Sequence, residues 1–238
     1  VSFVPKLQSI RPLINKITQR ELLNTLNIPC PDWISLPLNN ISNFELPDGW
    51  GFPLMAKTAR GGYDGKGTKI IKNSKQLEEF LEIDNKEKWM LEKWVSFEKE
   101  LSIVCSRDIN GVVRNLPITE TFQFKQVCDW VLAPAEINHT VELMVRNVAS
   151  SLLAELDYVG VLAIEFFYGS DGLLVNEIAP RTHNSGHFSI DACTSSQFDQ
   201  QICISSGINV PMPEMIVDGA LMANLLGLPN NYPISLSK

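Results

Sequence analysis

One stretch constrains this chain more than any other. The run Gly160-Val-Leu-Ala-Ile-Glu-Phe-Phe-Tyr168 is followed by a turn, Gly169-Ser-Asp-Gly172, and a second run, Leu173-Leu-Val-Asn-Glu-Ile178. Nearly continuous apolar runs of this length belong inside a sheet, and the glycine turn folds one back on the other as a hairpin. Each strand carries one carboxylate, Glu165 or Glu177. A carboxylate in a buried strand is costly unless it is paired or binds a metal. Side chains alternate along a strand, so the two can share a ligand only from one face. If Tyr168 faces Leu173 across a four-residue turn, Glu165 faces Asn176 and Glu177 points away. A three-residue loop over 170–172, closed by Gly169 facing Leu173, sets Glu165 opposite Glu177, with Gly172 placed for the positive φ that ends such loops. This second register, or one diagonal to it on the same face, is the one expected. It makes Glu165 and Glu177 a divalent-metal pair with Asn176 as an oxygen donor; the plainer alternative is two solvated glutamates on an outer face.

The rest of the chain alternates helical and extended signals. Residues 9–27 have helical apolar spacing and are stopped by Ile28-Pro-Cys-Pro31. Strands are expected at 53–58, 68–72 and 89–95, and a helix capped by Ser74 over 74–81. Asn110-Gly111 joins strands 101–107 and 112–119 as a hairpin. Helices follow over 140–156 and 197–204, and the last ten residues read as a tail. The fold class is α+β with antiparallel hairpins. The composition shift over 95–100 divides it into a small subdomain with the N-terminal helix (1–95) and a larger one (96–238).

With 238 residues the chain has ample length for a core, and its formal charge of −7 argues against a nucleic-acid or anionic-membrane surface. No apolar run approaches the ~20 residues of a membrane span. Cys30, Cys105, Cys128, Cys193 and Cys203 are odd in number and never spaced as Cys-x-x-Cys. They read as reduced, small buried side chains of an intracellular, cytoplasmic protein. The chain starts at Val1 and is read as a piece of something longer.

Between strands 53–58 and 68–72 lies Lys57-Thr-Ala-Arg-Gly-Gly-Tyr-Asp-Gly-Lys-Gly67, with four glycines and a lysine near each end. Glycines let backbone N–H groups approach a phosphate, and lysines neutralise it. The loop joins two strands, so it is neither a P-loop nor a Rossmann turn. It reads as a flap over a nucleotide triphosphate, or else as a long solvated hairpin loop. After the carboxylate strand, Arg181, His183, Asn184, Ser185 and His187 crowd one loop. Gly186 and the polar run argue against a helical zinc pair of His183 and His187; the set suits an anionic or phosphorylated substrate. Glu92-Lys-Trp-Val95 and Glu100 fit a segment joining two lobes, where backbone groups hold adenine and a carboxylate holds ribose. By itself this segment reads more simply as a surface strand with solvated glutamates.

Together these motifs resemble a known family. Gly61-Gly-Tyr-Asp-Gly-Lys-Gly67, Glu92-Lys-Trp-Val95, Glu100-Leu-Ser102, Asn176-Glu-Ile-Ala-Pro-Arg181, His183-Asn-Ser-Gly-His187 and Ile190-Asp-Ala-Cys-Thr-Ser-Ser-Gln-Phe198 look like 5-(carboxyamino)imidazole ribonucleotide synthases, the ATP-grasp carboxylases of purine synthesis. The resemblance implies two α+β subdomains enclosing a nucleotide cleft, and ATP, Mg2+, bicarbonate and 5-aminoimidazole ribonucleotide as ligands. It places Lys57 and the flap residues Gly62, Tyr63, Asp64, Gly65, Lys66, Gly67 and Thr68 on the phosphates. Glu92, Lys93, Trp94 and Val95 would hold adenine, with Glu100 on ribose. Glu165 and Glu177 would hold Mg2+ beside Asn176. Arg181, His183, Asn184 and Ser185 would serve carboxyphosphate and the acceptor. Lys16 stands where the family usually has an arginine and Gln123 where it has a histidine, both near the nucleotide. The family's N-terminal Rossmann-like domain and basic C-terminal segment have no counterpart here. A homodimer is implied; another ATP-grasp ligase, or a non-catalytic nucleotide-binding domain, are the other readings.

Overall fold

The computed structural model describes residues 3–36, 44–61, 67–82, 88–124 and 126–225. The chain enters through α1 (Leu7–Ile10), a 3-10 turn (Arg11–Leu13) and α2 (Lys16–Thr25). The spacing predicts one helix over 9–27; instead Pro12 falls in the 3-10 turn and Asn15 restarts the helix. The Asn15 side chain accepts from the N–H of Ile17 at 2.9 Å, which satisfies one of the free donors at a helix start.

A small antiparallel sheet follows. Its strands β1 (Trp33–Ser35), β2 (Leu54–Thr58), β3 (Thr68–Ile71) and β4 (Trp89–Lys93) lie in the order β1-β4-β2-β3. Helix α3 (Ser74–Glu82) covers one face, packing Leu77 and Phe80 on Leu54, Ala56, Ile71 and Leu91. Its cap is not Ser74: the Asn73 side chain accepts from the N–H of Gln76 at 3.0 Å. The alternation of strands leaves Met55, Lys57 and Glu92 on the opposite face.

The large sheet contains β5 (Lys99–Arg107), β6 (Val113–Asn115), β7 (Thr119–Phe124), β8 (Val127–Ala133), β9 (Gly160–Gly169), β10 (Gly172–Ala179) and β11 (Ala220–Ala223). Its path is β10-β9-β5-β7-β8-β11. The single strand expected over 112–119 is really two. β6 pairs with β5 at Cys105–Arg107, and β7 returns to pair with it at Glu100–Ser102. β1, β8 and β11 have no counterpart in the sequence reading.

Both faces of β9 are covered, which is why its sequence is apolar throughout. Leu162, Ile164 and Phe166 pack with Val141, Val145 and Leu152 of α4 (His139–Glu155). Val161 and Ala163 meet Phe188 and Ala192, the latter on α5 (Ser189–Ala192), and α6 (Gln197–Ser206) packs against β9. Leu13 and Leu23 join the core under α4, whereas Ile17 packs with Ala59 and Met90 of the small lobe. The N-terminal helical segment thus touches both sheets rather than belonging to the small one that follows it. Among the described residues no helix is long and apolar enough to cross a membrane, and no disulfide forms.

Candidate functional site

A cleft of about 860 Å3 opens between the two sheets. Lys57, Thr68 and Glu92 line it from the small sheet, and Lys93, Trp94 and Val95 from the joining segment. Glu100, Gln123, Glu165, Asn176 and Glu177 line it from the large sheet; Lys16, Arg181, His183 and Asn184 complete it. Thr68 donates its hydroxyl to the Gln126 side chain, linking β3 to the turn between β7 and β8. Two expected residues stay off the cleft. Gly67, at φ +82°, closes the base of the β2–β3 loop, its carbonyl accepting from the N–H of Thr58 at 2.8 Å. Ser185 is buried behind His183. Gly62, Tyr63, Asp64, Gly65 and Lys66 of the expected flap, and the expected tail, lie outside the described residues.

Glu165 faces Glu177 across the hairpin, but not by the expected turn. Gly169 pairs with Gly172 and Tyr168 with Leu173, so a three-residue loop is not what sets the register. The pairing runs regularly to Val175 opposite Phe166, then slips by one at Asn176. This β-bulge, two residues against one, changes which face each later side chain joins. Leu173 and Val175 lie in the core under α4, and so does Ile178; Glu177 turns to the cleft. The spacing of Leu173, Val175 and Ile178, two and then three, was the sequence signal for the bulge.

The two carboxylates are unequally compensated. Lys16 Nζ lies 2.6 Å from Glu177, and its charge outweighs burial to hold that carboxyl below the usual range. Burial, with the facing Glu177, pushes Glu165 up; the Nε2 of His183, 3.7 Å away, opposes this only in part. Glu100, on the same face of the sheet, is raised to about 7 by burial and by Glu165, with a hydrogen bond from Gln123 pulling the other way. A cleft with this surplus of carboxylate fits a hard divalent cation. Among the described residues no three acidic, His or Cys side chains form a metal cage by themselves. Two carboxylates with remaining positions left to phosphate and water are the donor set that Mg2+ prefers.

Glu92 is not a solvated surface residue. It is 2% exposed and lies between Arg20 Nη2 and Lys57 Nζ, each 2.6 Å away. The two cations outweigh burial and keep Glu92 ionised, while burial lowers Lys57. Lys57 also donates to Asn176 Oδ1 at 3.0 Å, so the lysine expected at phosphate already ties the small sheet to the bulge. The sequence reading left Arg20 without a role; its place between Ile17 and Leu23 on the buried face of α2 was the signal.

The loop after β10 holds the remaining set. Arg181 is exposed, its guanidinium on the carbonyl of Thr182 at 2.8 Å. His183 precedes a 3-10 turn (Asn184–Gly186), and its Nδ1 meets Ser185 Oγ at 3.0 Å. Ser185 Oγ in turn meets Ser102 Oγ at 2.7 Å. Gln197, unforeseen, holds both the N–H and the carbonyl of His183 at 2.8 Å. His187 points elsewhere, stacked on Phe198 with ring centroids 5.6 Å apart.

The ATP-grasp domain family matches residues 21–198. The chain belongs to the ATP-grasp family. This ATP-grasp chain is 40% identical over 227 residues to an N5-carboxyaminoimidazole ribonucleotide synthase of Synechococcus elongatus, covering 95% of this chain and 57% of that protein. It is 36% identical to a phosphoribosylaminoimidazole carboxylase of Saccharomyces cerevisiae, covering 94% of this chain and 40% of that protein. Among solved structures, an N5-carboxyaminoimidazole synthetase of Staphylococcus aureus complexed with ADP superposes with TM-score 0.85 at 33% identity, covering 93% and 59%. An Aspergillus clavatus N5-carboxyaminoimidazole synthase with ADP and 5-aminoimidazole ribonucleotide gives 0.84 at 28%, covering 94% and 60%. The ATP-grasp chain thus spans less than two thirds of the length of these relatives.

Proposed function

We propose that the chain is the nucleotide- and acceptor-binding part of an enzyme that uses ATP and bicarbonate to carboxylate 5-aminoimidazole ribonucleotide in purine synthesis. The observation that carries this reading is one cleft shared by two kinds of residue. The Glu165–Glu177 pair faces the nucleotide wall, and Arg181, His183 and Asn184 border the same space. The relatives' names, and a relative bound to both ADP and the aminoimidazole ribonucleotide, support it.

In this reading Lys57 and the flap over 62–68 neutralise the phosphates, the backbone at 92–95 holds adenine, and Glu100 takes the ribose hydroxyls. Glu165 and Glu177, with Asn176, hold Mg2+, which supplies charge neutralisation at the transferring phosphoryl group. Bicarbonate oxygen attacks the γ-phosphorus and ADP leaves; the exocyclic amine of the acceptor then attacks the carboxyl carbon of the carboxyphosphate, whose C–O bond breaks to release inorganic phosphate. Arg181 pairs with the anionic acceptor. His183 takes the amine proton at the imidazole, held by Ser185 on Nδ1. Closing the cleft excludes water from a hydrolysable intermediate. Ser185 therefore acts through His183 rather than on the acceptor.

The test is phosphate release from ATP by the full chain, with and without 5-aminoimidazole ribonucleotide and bicarbonate. Release that depends on both supports the reading. Release with a different acceptor makes this another ATP-grasp ligase, and ATP binding without turnover makes it a non-catalytic domain. Sedimentation of the full chain tests the homodimer.

A further inference from the structure

Among the described residues β10 is the outermost strand of its sheet, and no described strand pairs with its outward backbone groups. The segment 19–29 takes that place. Gln19 receives the N–H of Ile178 at 3.1 Å and donates to its carbonyl at 2.9 Å; Pro29 accepts from the N–H of Val175 at 2.8 Å. Arg20 does something different. Its Nη1 donates to the carbonyl of Val175 at 3.0 Å and its Nη2 to that of Asn176 at 2.7 Å. In a regular strand, consecutive carbonyls point to opposite edges. Two neighbouring carbonyls reach one guanidinium here because the bulge turns them the same way. The planar fork of an arginine matches such a pair, and the ammonium of a lysine does not. The same side chain is 3% exposed and also binds Glu92 through Nε at 2.8 Å.

We propose that Arg20 is a positioning residue for the carboxylate pair: its fork holds the bulge at Asn176 and so keeps Glu177 opposite Glu165 in the cleft. Without the bulge, the pairing of Val175 with Phe166 would continue to Asn176 with Glu165, and Glu177 would turn toward Leu173 and the core under α4. Burial of Ile178 favours the bulged register, and Arg20 satisfies the carbonyls that this register leaves without strand partners. The inference rests on the metal role proposed for Glu165 and Glu177.

The experiment compares Arg20→Lys with the unchanged sequence in the full chain, using Mn2+ as the metal probe, metal-free ADP as the nucleotide probe, and amide hydrogen exchange over 174–178. R20K is expected to weaken Mn2+ binding by about tenfold, as loss of an orienting partner does at metal sites. It should speed exchange at Val175 to Glu177 and leave metal-free ADP affinity unchanged. Equal losses for Mn2+ and ADP, or unchanged exchange, would overturn the proposal. A second variant guards against simple misfolding. In a chain lacking Asn176 the strand runs regularly with Glu177 still opposite Glu165; loss of the Asn176 donor lowers Mn2+ affinity by itself, and relative to that background adding R20K should cost little further. The same cost in both backgrounds would mean that Arg20 acts through Glu92 alone. If Glu177→Gln leaves Mn2+ binding unchanged, the metal reading fails, and the exchange rates in R20K decide the role of Arg20 by themselves.

Discussion

Glu92 and the Glu165–Glu177 pair are all strand glutamates on the walls of one cleft, yet they are opposite kinds of site. Glu92 is enclosed by two cations, Arg20 and Lys57, each at 2.6 Å, and its charge is more than balanced. Glu165 and Glu177 face each other with Lys16 against one and the His183 ring near the other. The first arrangement holds the lobes together without help. The second holds a surplus of negative charge that ordinary packing would not retain, and which a cation would relieve. A buried carboxylate thus reads as structure or as a site according to what its neighbours leave uncompensated.

The largest expected effect breaks the first region. Glu92→Leu leaves Arg20 and Lys57 buried without their shared anion and should cost about 3–5 kcal/mol in denaturant unfolding. A loss below that of an ordinary surface substitution would mean that the triad is not a structural lock. The second region should respond with opposite sign. Glu165→Gln removes one of two opposed charges and should stabilise the ligand-free chain by up to about 1 kcal/mol. It should also abolish any gain in nucleotide affinity from Mg2+, read by calorimetry with and without the metal. Destabilisation by that variant would show the pair to be already balanced.

Glu100 gives a smaller, pH-dependent effect. Its carboxyl is raised from the ordinary 4.5 to about 7, so the protonated form favours the folded state. That contribution is whole below pH about 4.5 and is lost as pH rises through about 7. Denaturant midpoints of the ligand-free chain should therefore fall across this interval, and Glu100→Gln should flatten the fall. The smallest effect on stability and nucleotide affinity is expected at Arg181, which is exposed and bonds its neighbour's carbonyl. Arg181→Ala should leave ATP affinity and the unfolding midpoint unchanged and remove only the acceptor-dependent part of the phosphate release proposed above. A large loss of ATP affinity in a folded variant would move Arg181 to the nucleotide side.

Much of this was legible in the sequence because it depends on local periodicity. The apolar runs of β9 and β10, the spacing of α4 and the glycines at 169 and 172 each act within a few residues. β1 and β11 escaped notice because they are short strands whose existence depends on a partner distant in sequence. At the site, Glu165 and Glu177 face each other as expected, but by a different geometrical route. A loop of three residues and a bulge at Asn176 both bring the two residues opposite each other. Only the break in spacing before Ile178 separates the two routes. Glu92 was misread because an acidic residue in a short strand looks the same whether water or two cations surround it.

The sequence by itself determined the antiparallel α+β character, the glycine-rich connection after β2 and the acidic and basic residues gathered from Glu165 to His187. Those follow from backbone preference and side-chain pattern, which are carried along the chain. Only the tertiary structure decided that Arg20, 72 positions before Glu92, reaches it and also grips the bulge 155 and 156 positions on. Only it decided that Lys57 is bound by both lobes and that Ser185 stands behind His183. The reason is physical. Pattern fixes which face of an element is apolar, but the charge balance at a point in space is the sum of side chains from several elements, and nothing local in the chain records that sum.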